Sequence, residues 1–324
     1  MAVPNFGQIV ASTWENHVGK TPNDQIHNDY WLFNRLSEGD GFVEFNGGRT
    51  INDAIEYAIN STVRSYTDTE PLDVTRIDVF DEFQYSWKEY GGTVLMSELE
   101  KAKNQGDGMK FDLLPNKLEN LKRSFMNVLN GHFYADGTGN NSKDVGGLAL
   151  LVATDPTTGS PGLINRSTFT FWRNQQTSGA KSSTAFDNLR STMRQIYNSC
   201  SAGVDQQHPD WVVTDDATLR GYESLLTANE RVVDKSKSQA NAGFKNSFFM
   251  FKDIPVAYDR ACTAGSMFML NDRNLKLAYL KGEWMHGFPS TQPSNQTVEV
   301  FKVISICNLY SNNPRRLGVI TAIT

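Results

Sequence analysis

The sequence predicts an α+β fold, in which helices and strands occupy different parts of the chain. In the middle of the chain apolar residues recur at steps of three and four, most clearly between Phe186 and Cys200, as on one face of a helix. From Phe248 to the C-terminus the pattern changes to short apolar or alternating runs, which are typical of strands. Strands and helices do not alternate regularly, and no internal repeat is visible, so a βαβ arrangement is not expected.

The composition limits the classes of partner. The 324 residues carry a net charge of -5 at pH 7, and both signs of charge are spread along the chain. We therefore expect no basic face for nucleic acid or for an anionic membrane. No signal peptide or membrane span is visible, so synthesis in a cytoplasm is expected. The three cysteines, Cys200, Cys262 and Cys307, are far apart and are predicted to be buried, reduced thiols.

The first element is a segment rich in aromatic residues. Residues 1–47 contain Phe6, Trp14, Tyr30, Trp31 and Phe33 but little regular periodicity. We expect an extended arm that lies against its own subunit or against a neighbour, because exposing so many aromatic side chains to water is unfavourable.

The next element is a predicted projecting hairpin. Residues Thr62 to Thr69 are rich in β-branched residues but polar on both faces, so burial in the subunit's own core cannot hold them as a strand. After a turn at Glu70 to Leu72, residues 75–87 alternate between apolar and polar side chains. The apolar side consists of Ile77, Val79, Phe83, Tyr85 and Trp87. A strand of this length, roughly 43 Å, indicates a hairpin that relies on other subunits for cover.

Three helices follow. The first is predicted from Ser97, where Ser97 and Glu100 have the spacing of a capping box, and Pro115 should interrupt or delay it. Its apolar stripe comprises Leu114, Leu118, Leu121, Phe125, Val128 and Leu129. The second runs to Cys200 behind Thr184 and Asp187 as a capping pair. The third follows a short buried strand and an aspartate cap in "DWVVTDDATLRGYESLL".

Most chemical motifs are incomplete, so the sequence predicts neither an enzyme nor a cofactor or metal site. "VGKT" at 18–21 lacks the first glycine of a phosphate loop, because Trp14 stands there. The five histidines are isolated, and no nucleophile elbow is present. Asp78, Asp81 and Glu82 offer clustered carboxylates, but they are more simply the solvated face of a strand.

The order of these parts resembles one family. "GGLALLVATDPTTG" (146–159), leading to "NRSTFTFWRN" (165–174), and the closing "NLYSNNPRRLGVI" (308–320) are similar to sequences of tailed-bacteriophage major capsid proteins with the HK97 fold. The resemblance implies an N-terminal arm at 1–47 and an E-loop hairpin at 48–78. It further implies a P-domain with a long spine helix at 79–145, an A-domain at 146–289 and strands returning to the P-domain at 290–324.

The resemblance also implies a function. The chain would be the head subunit of a tailed phage, made in the bacterial cytoplasm and assembled through hexamers and pentamers into an icosahedral shell around double-stranded DNA. Further partners that it implies are a portal, a decoration protein and a scaffold, which is either a separate protein or a segment that has been removed. Two alternatives stay open: an encapsulin-like protein compartment, and a soluble enzyme with dispersed catalytic residues.

Two groups of residues are candidate subunit contacts. On the hairpin, the charged residues are expected to fix register and partner choice. They are Arg64, Asp68, Glu70, Arg76 and Asp78. Near the middle of the chain, the turn at Asp155 to Gly162 and the aromatic patch that ends at Trp172 and Arg173 are expected to lock this region to the rest of the subunit or to neighbours. Plain core packing of Phe171 and Trp172 is the alternative.

Overall fold

The computed structural model describes residues 30–103, 113–178, 188–201, 208–226 and 249–323. The helices are α1 (Trp31–Glu38), α2 (Glu98–Lys103), α3 (Leu113–Phe133), α4 (Leu148–Leu151), α5 (Leu189–Cys200) and α6 (Asp216–Leu225). The early strands are β1 (Phe42–Phe45), β2 (Thr50–Glu56), β3 (Phe80–Ser86), β4 (Lys88–Ser97), β5 (Gln175–Ser178) and β6 (Trp211–Thr214). The later strands are β7 (Phe249–Phe251), β8 (Ile254–Tyr258), β9 (Met267–Leu270), β10 (Leu275–Leu280), β11 (His286–Gly287), β12 (Val298–Ser311) and β13 (Gly318–Thr321). The α+β prediction is confirmed.

The strands form two larger sheets and one hairpin. The first sheet has the order β1-β10-β12-β11, and β4 also pairs with β12. The second has the order β5-β13-β9-β6-β8-β7, and β2 pairs only with β3. The two sheets do not divide at residue 290, where a boundary was expected. Strand β10 precedes this residue but lies in the first sheet, together with β12. Strand β13 follows it but lies in the second sheet, between β5 and β9.

The central strands of the second sheet, β6 and β9, are buried on both faces. Along β6 and β9, alternate residues enter two different core clusters, so that Trp211 and Val213 face one cluster and Val212 faces the other. This agrees with their sequences, WVVT and MFML, in which Thr214 is the one polar residue and no polar face of a half-exposed strand is present. Helices α5 and α6 cover one face, and the cluster that contains α3 and the hairpin covers the other.

The predicted helix starts agree with the structure where it describes them. The amide of Glu100 donates to Ser97 Oγ at 3.2 Å, and the amide of Ser97 donates to the Glu100 carboxylate at 3.3 Å, which is the reciprocal capping box. Pro115 lies in the first turn of α3, where its missing N–H costs nothing. Thr184, Phe186 and Asp187, predicted at the start of α5, lie outside the described residues.

The N-terminal segment differs from the expected extended arm where it is described. Residues 31–38 form α1, which buries Leu32, Phe33 and Leu36, and β1 pairs in parallel with β10. The Asp259 carboxylate is fully buried and accepts the Leu32 amide at 3.2 Å and the Asn130 side-chain amide at 3.1 Å. This contact attaches α1 to α3. Phe6 and Trp14 lie outside the described residues.

All three cysteines are free and buried, as predicted. Burial raises the pKa of Cys200 and of Cys307, each to about 12. No helix among the described residues is both long and apolar enough to cross a bilayer.

The contact between α3 and the loop that precedes α4 gives a test of the fold. A Cβ at Gly147 would lie 2.4 Å from the carbonyl oxygens of His132 and Phe133, so a side chain there forces the backbone to move. We expect Gly147→Ala to lower the free energy of unfolding by about 3 kcal/mol, measured in urea. Gly131→Ala, on the same helix with no atom within 4 Å of its Cβ, should instead raise it by up to about 1 kcal/mol. Equal stability of the two variants would contradict this packing.

Candidate functional site

The hairpin ends in a projecting loop, residues 57–79, which is the first candidate contact surface. The ladder between β2 and β3 runs from Thr50 opposite Ser86 to Glu56 opposite Phe80. The Tyr57 amide then donates to the Val79 carbonyl at 3.0 Å, and no strand is assigned between these residues. No residue of the projecting loop is buried.

The predicted strand at Thr62 to Thr69 is therefore wrong for the isolated subunit, and the strand predicted over 75–87 begins only at Phe80. The sequence already shows the physical reason for residues 62–69, which are polar on both faces. Neither burial nor pairing with another strand compensates for the conformational entropy lost when their backbone is ordered.

Several apolar side chains of the projecting loop are almost fully exposed. The exposed fraction is 91% for Ile59, 82% for Val63 and 94% for Val74, and Tyr66 and Leu72 are also exposed. Five exposed apolar side chains within one loop of 23 residues are a candidate contact surface. Besides its charges, the loop thus exposes apolar side chains, which the sequence analysis did not predict.

The five predicted charged residues of the hairpin, Arg64, Asp68, Glu70, Arg76 and Asp78, are all exposed. Arg64 donates to the Pro71 carbonyl at 2.6 Å, and the Glu70 amide donates to the Thr67 carbonyl at 2.8 Å, so the tip is a compact turn. Among the residues that the structure describes, none of the five forms an ion pair. Their charges are available to a partner.

The second candidate surface is the central loop, residues 155–174, which packs against the hairpin. Gly162 has φ +65°, and a Cβ there would lie about 3 Å from the side chains of Phe83 and Tyr85. Glycine is required for both reasons: the backbone is left-handed and the aromatic rings are close.

Trp172 is a core residue, which corrects its assignment as a contact with another subunit. It is 2% exposed, its ring stacks on Phe83 with a centroid distance of 5.8 Å, and its indole N–H donates to the Pro161 carbonyl at 2.7 Å. Phe171 is half-buried and stacks on Tyr57, where the projecting loop begins, at 5.1 Å. The aromatic patch therefore holds the hairpin within its own subunit.

Arg166 determines the shape of the central loop, and the sequence reasoning missed it. Its side chain is 1% exposed and donates to the carbonyls of Leu150 at 3.0 Å, of Leu151, and of Trp172 at 3.3 Å. Burial lowers the pKa of this guanidinium to about 10. The carbonyls at the end of α4 carry partial negative charge and receive the cation. A single arginine in a polar sequence gives no periodic signal that could reveal this role.

Arg173, the other predicted contact of this region, is half-buried. Its guanidinium donates to the carbonyl of Arg166 at 2.7 Å and to that of Ser167 at 3.0 Å. Both partners belong to the central loop itself.

A polar cavity of about 590 Å³ lies between the hairpin, the central loop and the loop that precedes α4. Its charged lining residues include Lys88, which donates to the Ser142 carbonyl, and Asp136, which accepts from Thr138. Within the described ranges, no three His, Cys, Asp or Glu side chains are grouped so that they could hold a metal ion.

Substitutions of Trp172 test whether the central loop supports the hairpin. Trp172→Ala should lower the free energy of unfolding by about 3–5 kcal/mol, because it leaves a cavity beside Phe83. Trp172→Phe keeps a ring but loses the bond to Pro161, and should cost about 1–2 kcal/mol. Phe169→Ala in the same loop, where Phe169 is 39% exposed, is the control and should cost less. Urea unfolding and hydrogen exchange of the β2 and β3 amides measure both effects; unchanged exchange in Trp172→Ala would refute the support.

Comparisons with known proteins find similarity in structure. No protein-family profile matches the sequence, and no curated protein is significantly similar to it. The structure resembles a chain of the cyanophage A-1(L) capsid asymmetric unit, with a TM-score of 0.69 and 16% identity over 95% of this chain and 97% of that chain. For the capsid of Myoviridae phage XM1 the TM-score is 0.59 and the identity 12%, over 99% of both chains.

An encapsulin is also similar. The holo-SrpI encapsulin complex from Synechococcus elongatus PCC 7942 gives a TM-score of 0.60 and 12% identity over 99% of this chain and 96% of that chain. The TM-scores and the coverage show a shared fold, and at identities this low the similarity shows the fold alone. With its projecting hairpin, its long helix and its two sheets, the chain has the HK97 fold of phage capsid subunits.

Proposed function

We propose that the chain is the major capsid subunit of a tailed phage, which self-assembles through hexamers and pentamers into an icosahedral shell around double-stranded DNA. The observation that carries this proposal is the projecting loop: Ile59, Val63 and Val74 are exposed at the end of a hairpin whose base packs on its own subunit through Phe83 and Trp172. Exposed apolar side chains at the end of an anchored hairpin are suited to burial against a second subunit. The similarity to capsid chains over nearly the whole length supports the same conclusion.

In this proposal the contacts are many and individually modest. Charged residues of the loop give register and partner choice, and apolar residues add burial. Summed over an extended interface of more than roughly 2,000 Å² per pair, and over many copies, such contacts close a stable shell. The net charge of -5 suits a wall that contains DNA without binding its phosphates tightly.

The proposed organisation keeps the parts expected from the sequence but not all of their boundaries, since β3 extends the hairpin beyond residue 78 and the sheets do not divide at residue 290. The hairpin with its loop is the E-loop, α3 is the spine helix, and the second sheet with α5 and α6 is the core of the A-domain. Since β10 and β13 each join the other sheet, we treat the P-domain and the A-domain as regions of one core. In the assembled state the subunit would be located in the virion. Scaffolding, portal and decoration proteins remain proposed partners.

An encapsulin-like compartment is the second candidate, favoured by the match to the SrpI complex. The two functions differ in their contents. Electron microscopy of the purified chain, alone and with the product of a neighbouring scaffold gene, should show closed shells or free hexamers and pentamers. The ratio of absorbance at 260 and 280 nm then separates shells that hold DNA from shells that hold protein. A persistent monomer under both conditions would contradict both functions.

The projecting loop can be removed without touching the core. Deleting residues 62–74 should leave the urea unfolding midpoint unchanged, because none of them is buried, yet abolish assembly seen by sedimentation and electron microscopy. A Gly/Ser segment of equal length in their place should fail to assemble in the same way, since it lacks the charges and the apolar side chains. Closed shells from either variant would show that the loop is not an assembly contact.

For Arg173 we also expect assembly to suffer more than folding. Arg173→Ala removes hydrogen bonds within a partly exposed loop, with an expected cost of about 1–2 kcal/mol in unfolding. It also removes a side chain of the type that carries binding energy at subunit contacts. Arg173→Lys keeps the charge and is the matched control. Normal particle yields from Arg173→Ala would rule out the contact.

A further inference from the structure

The sequence contains two Asn-Gly pairs, and the structure places them in opposite environments. Asn46 and Gly47 lie in the connection between β1 and β2, whereas Asn130 and Gly131 lie within α3. An Asn-Gly pair can rearrange without an enzyme, because glycine has no side chain to hinder attack of its backbone nitrogen on the preceding side-chain amide. The rate depends on how freely the local backbone moves. The two pairs therefore provide a comparison within one chain.

The first pair lies in an open, irregular connection. Asn46, Gly47 and Gly48 are all exposed, and no helix or strand is assigned to residues 46–49. Gly47 has φ +126°, which glycine alone adopts readily, and a Cβ there would meet no atom within 4 Å. Within the described part of the chain, neither the Asn46 side chain nor the Gly47 amide forms a hydrogen bond. Nothing there holds the attacking nitrogen away from the amide, and water reaches both.

The second pair is held in place. Asn130 is 1% exposed, and its side-chain amide donates to both carboxylate oxygens of Asp259 at 3.1 Å. The backbone of Gly131 is part of α3, so its nitrogen can turn toward the Asn130 side chain only when the helix opens locally. The fold therefore protects this pair.

We propose that Asn46 is a site of spontaneous modification, which converts it to aspartate and isoaspartate in the folded subunit. The Gly47 nitrogen forms a bond to Cγ of Asn46, the bond from Cγ to Nδ2 breaks, and Nδ2 leaves as ammonia with the proton that the Gly47 nitrogen loses. Water then opens the five-membered imide. Cleavage between Cγ and the Gly47 nitrogen gives aspartate. Cleavage between the Asn46 backbone carbonyl carbon and that nitrogen gives isoaspartate, whose main chain passes through Cβ and Cγ.

The position of the pair gives isoaspartate a structural consequence. The residues on both sides are anchored: the Phe45 carbonyl accepts the Lys281 amide at 2.9 Å, and the Gly48 carbonyl accepts the Trp87 indole N–H at 3.0 Å. Isoaspartate adds one methylene group to the main chain between these anchors. Because the connection leads from the first sheet into the hairpin, the longer chain displaces the Trp87 contact or the start of β2. The inference concerns the isolated subunit and does not depend on shell formation.

The test follows the purified full-length subunit during incubation at neutral and mildly alkaline pH, with a sample digested at once as the zero of time. Trypsin releases residues 36–49, in which Asn46 has the only side-chain amide. Mass spectrometry should find this amide replaced by an acid, at least about tenfold faster than at Asn130. The rate should rise with pH, because the attacking nitrogen must lose its proton. An intact Asn46, or equal rates at the two sites, would overturn the proposal.

Unfolding the chain tests whether the fold causes the difference. In urea neither pair is held, so Asn46 and Asn130 should be modified at similar rates. A difference of the same size in urea would show that the fold does not select the site, and would overturn the assignment.

Variants at Asn46 test the consequence for the hairpin. After incubation, hydrogen exchange of the β2 and β3 amides should be faster in the unaltered subunit but unchanged in Asn46→Gln, whose longer side chain forms a cyclic imide much more slowly. Freshly prepared Asn46→Asp carries the new charge on a normal main chain, and should exchange like the fresh unaltered subunit. Equal acceleration in incubated Asn46→Gln would refute the effect on the hairpin, and acceleration in fresh Asn46→Asp would assign it to charge instead of chain length.

Discussion

The structure depends on how one two-stranded hairpin is covered. Two paired strands are marginal in water by themselves, so β2 and β3 need an apolar surface against which to pack. One face of β3 carries Phe83 and Tyr85, and both rings lie against Tyr310 of β12. The central loop closes over the same rings with Trp172 and Gly162. The direction in which the hairpin projects is thus set by the core.

The central loop can provide this cover because a buried side chain holds its backbone in place. The loop contains few regular backbone hydrogen bonds. Instead, the buried guanidinium of Arg166 donates hydrogen bonds to three backbone carbonyl groups. Burying a guanidinium is costly, and the hydrogen bonds to the carbonyl dipoles offset that cost. The stretch that looked unusual in the sequence, with turns, aromatic residues and arginines but no catalytic cluster, is therefore a structural support.

Much of the fold could be predicted from the sequence because the signals were local. The capping box at Ser97, the strand and helix around Asp215, and the C-terminal strands all follow from neighbouring residues. The predictions failed where the outcome depends on distant partners. Residues 62–69 have strand composition but no strand to pair with, and α1 folds because Asp259 and the core accept it. The burial of Arg166 and of Trp172 depends on residues from three separate segments, which spacing alone does not reveal.

The position of β13 has a consequence for biosynthesis. This strand lies between β5 and β9 inside the second sheet, yet its residues, 318–321, are synthesised after both of those strands. Until then β5 and β9 have no partner between them, and the sheet that is buried on both faces is incomplete. A nascent chain thus cannot complete this sheet before β13 has been synthesised. Until then the edges of β5 and β9 that will pair with β13 are open to other chains, so the order of synthesis makes this the stage at which the subunit is most prone to aggregate.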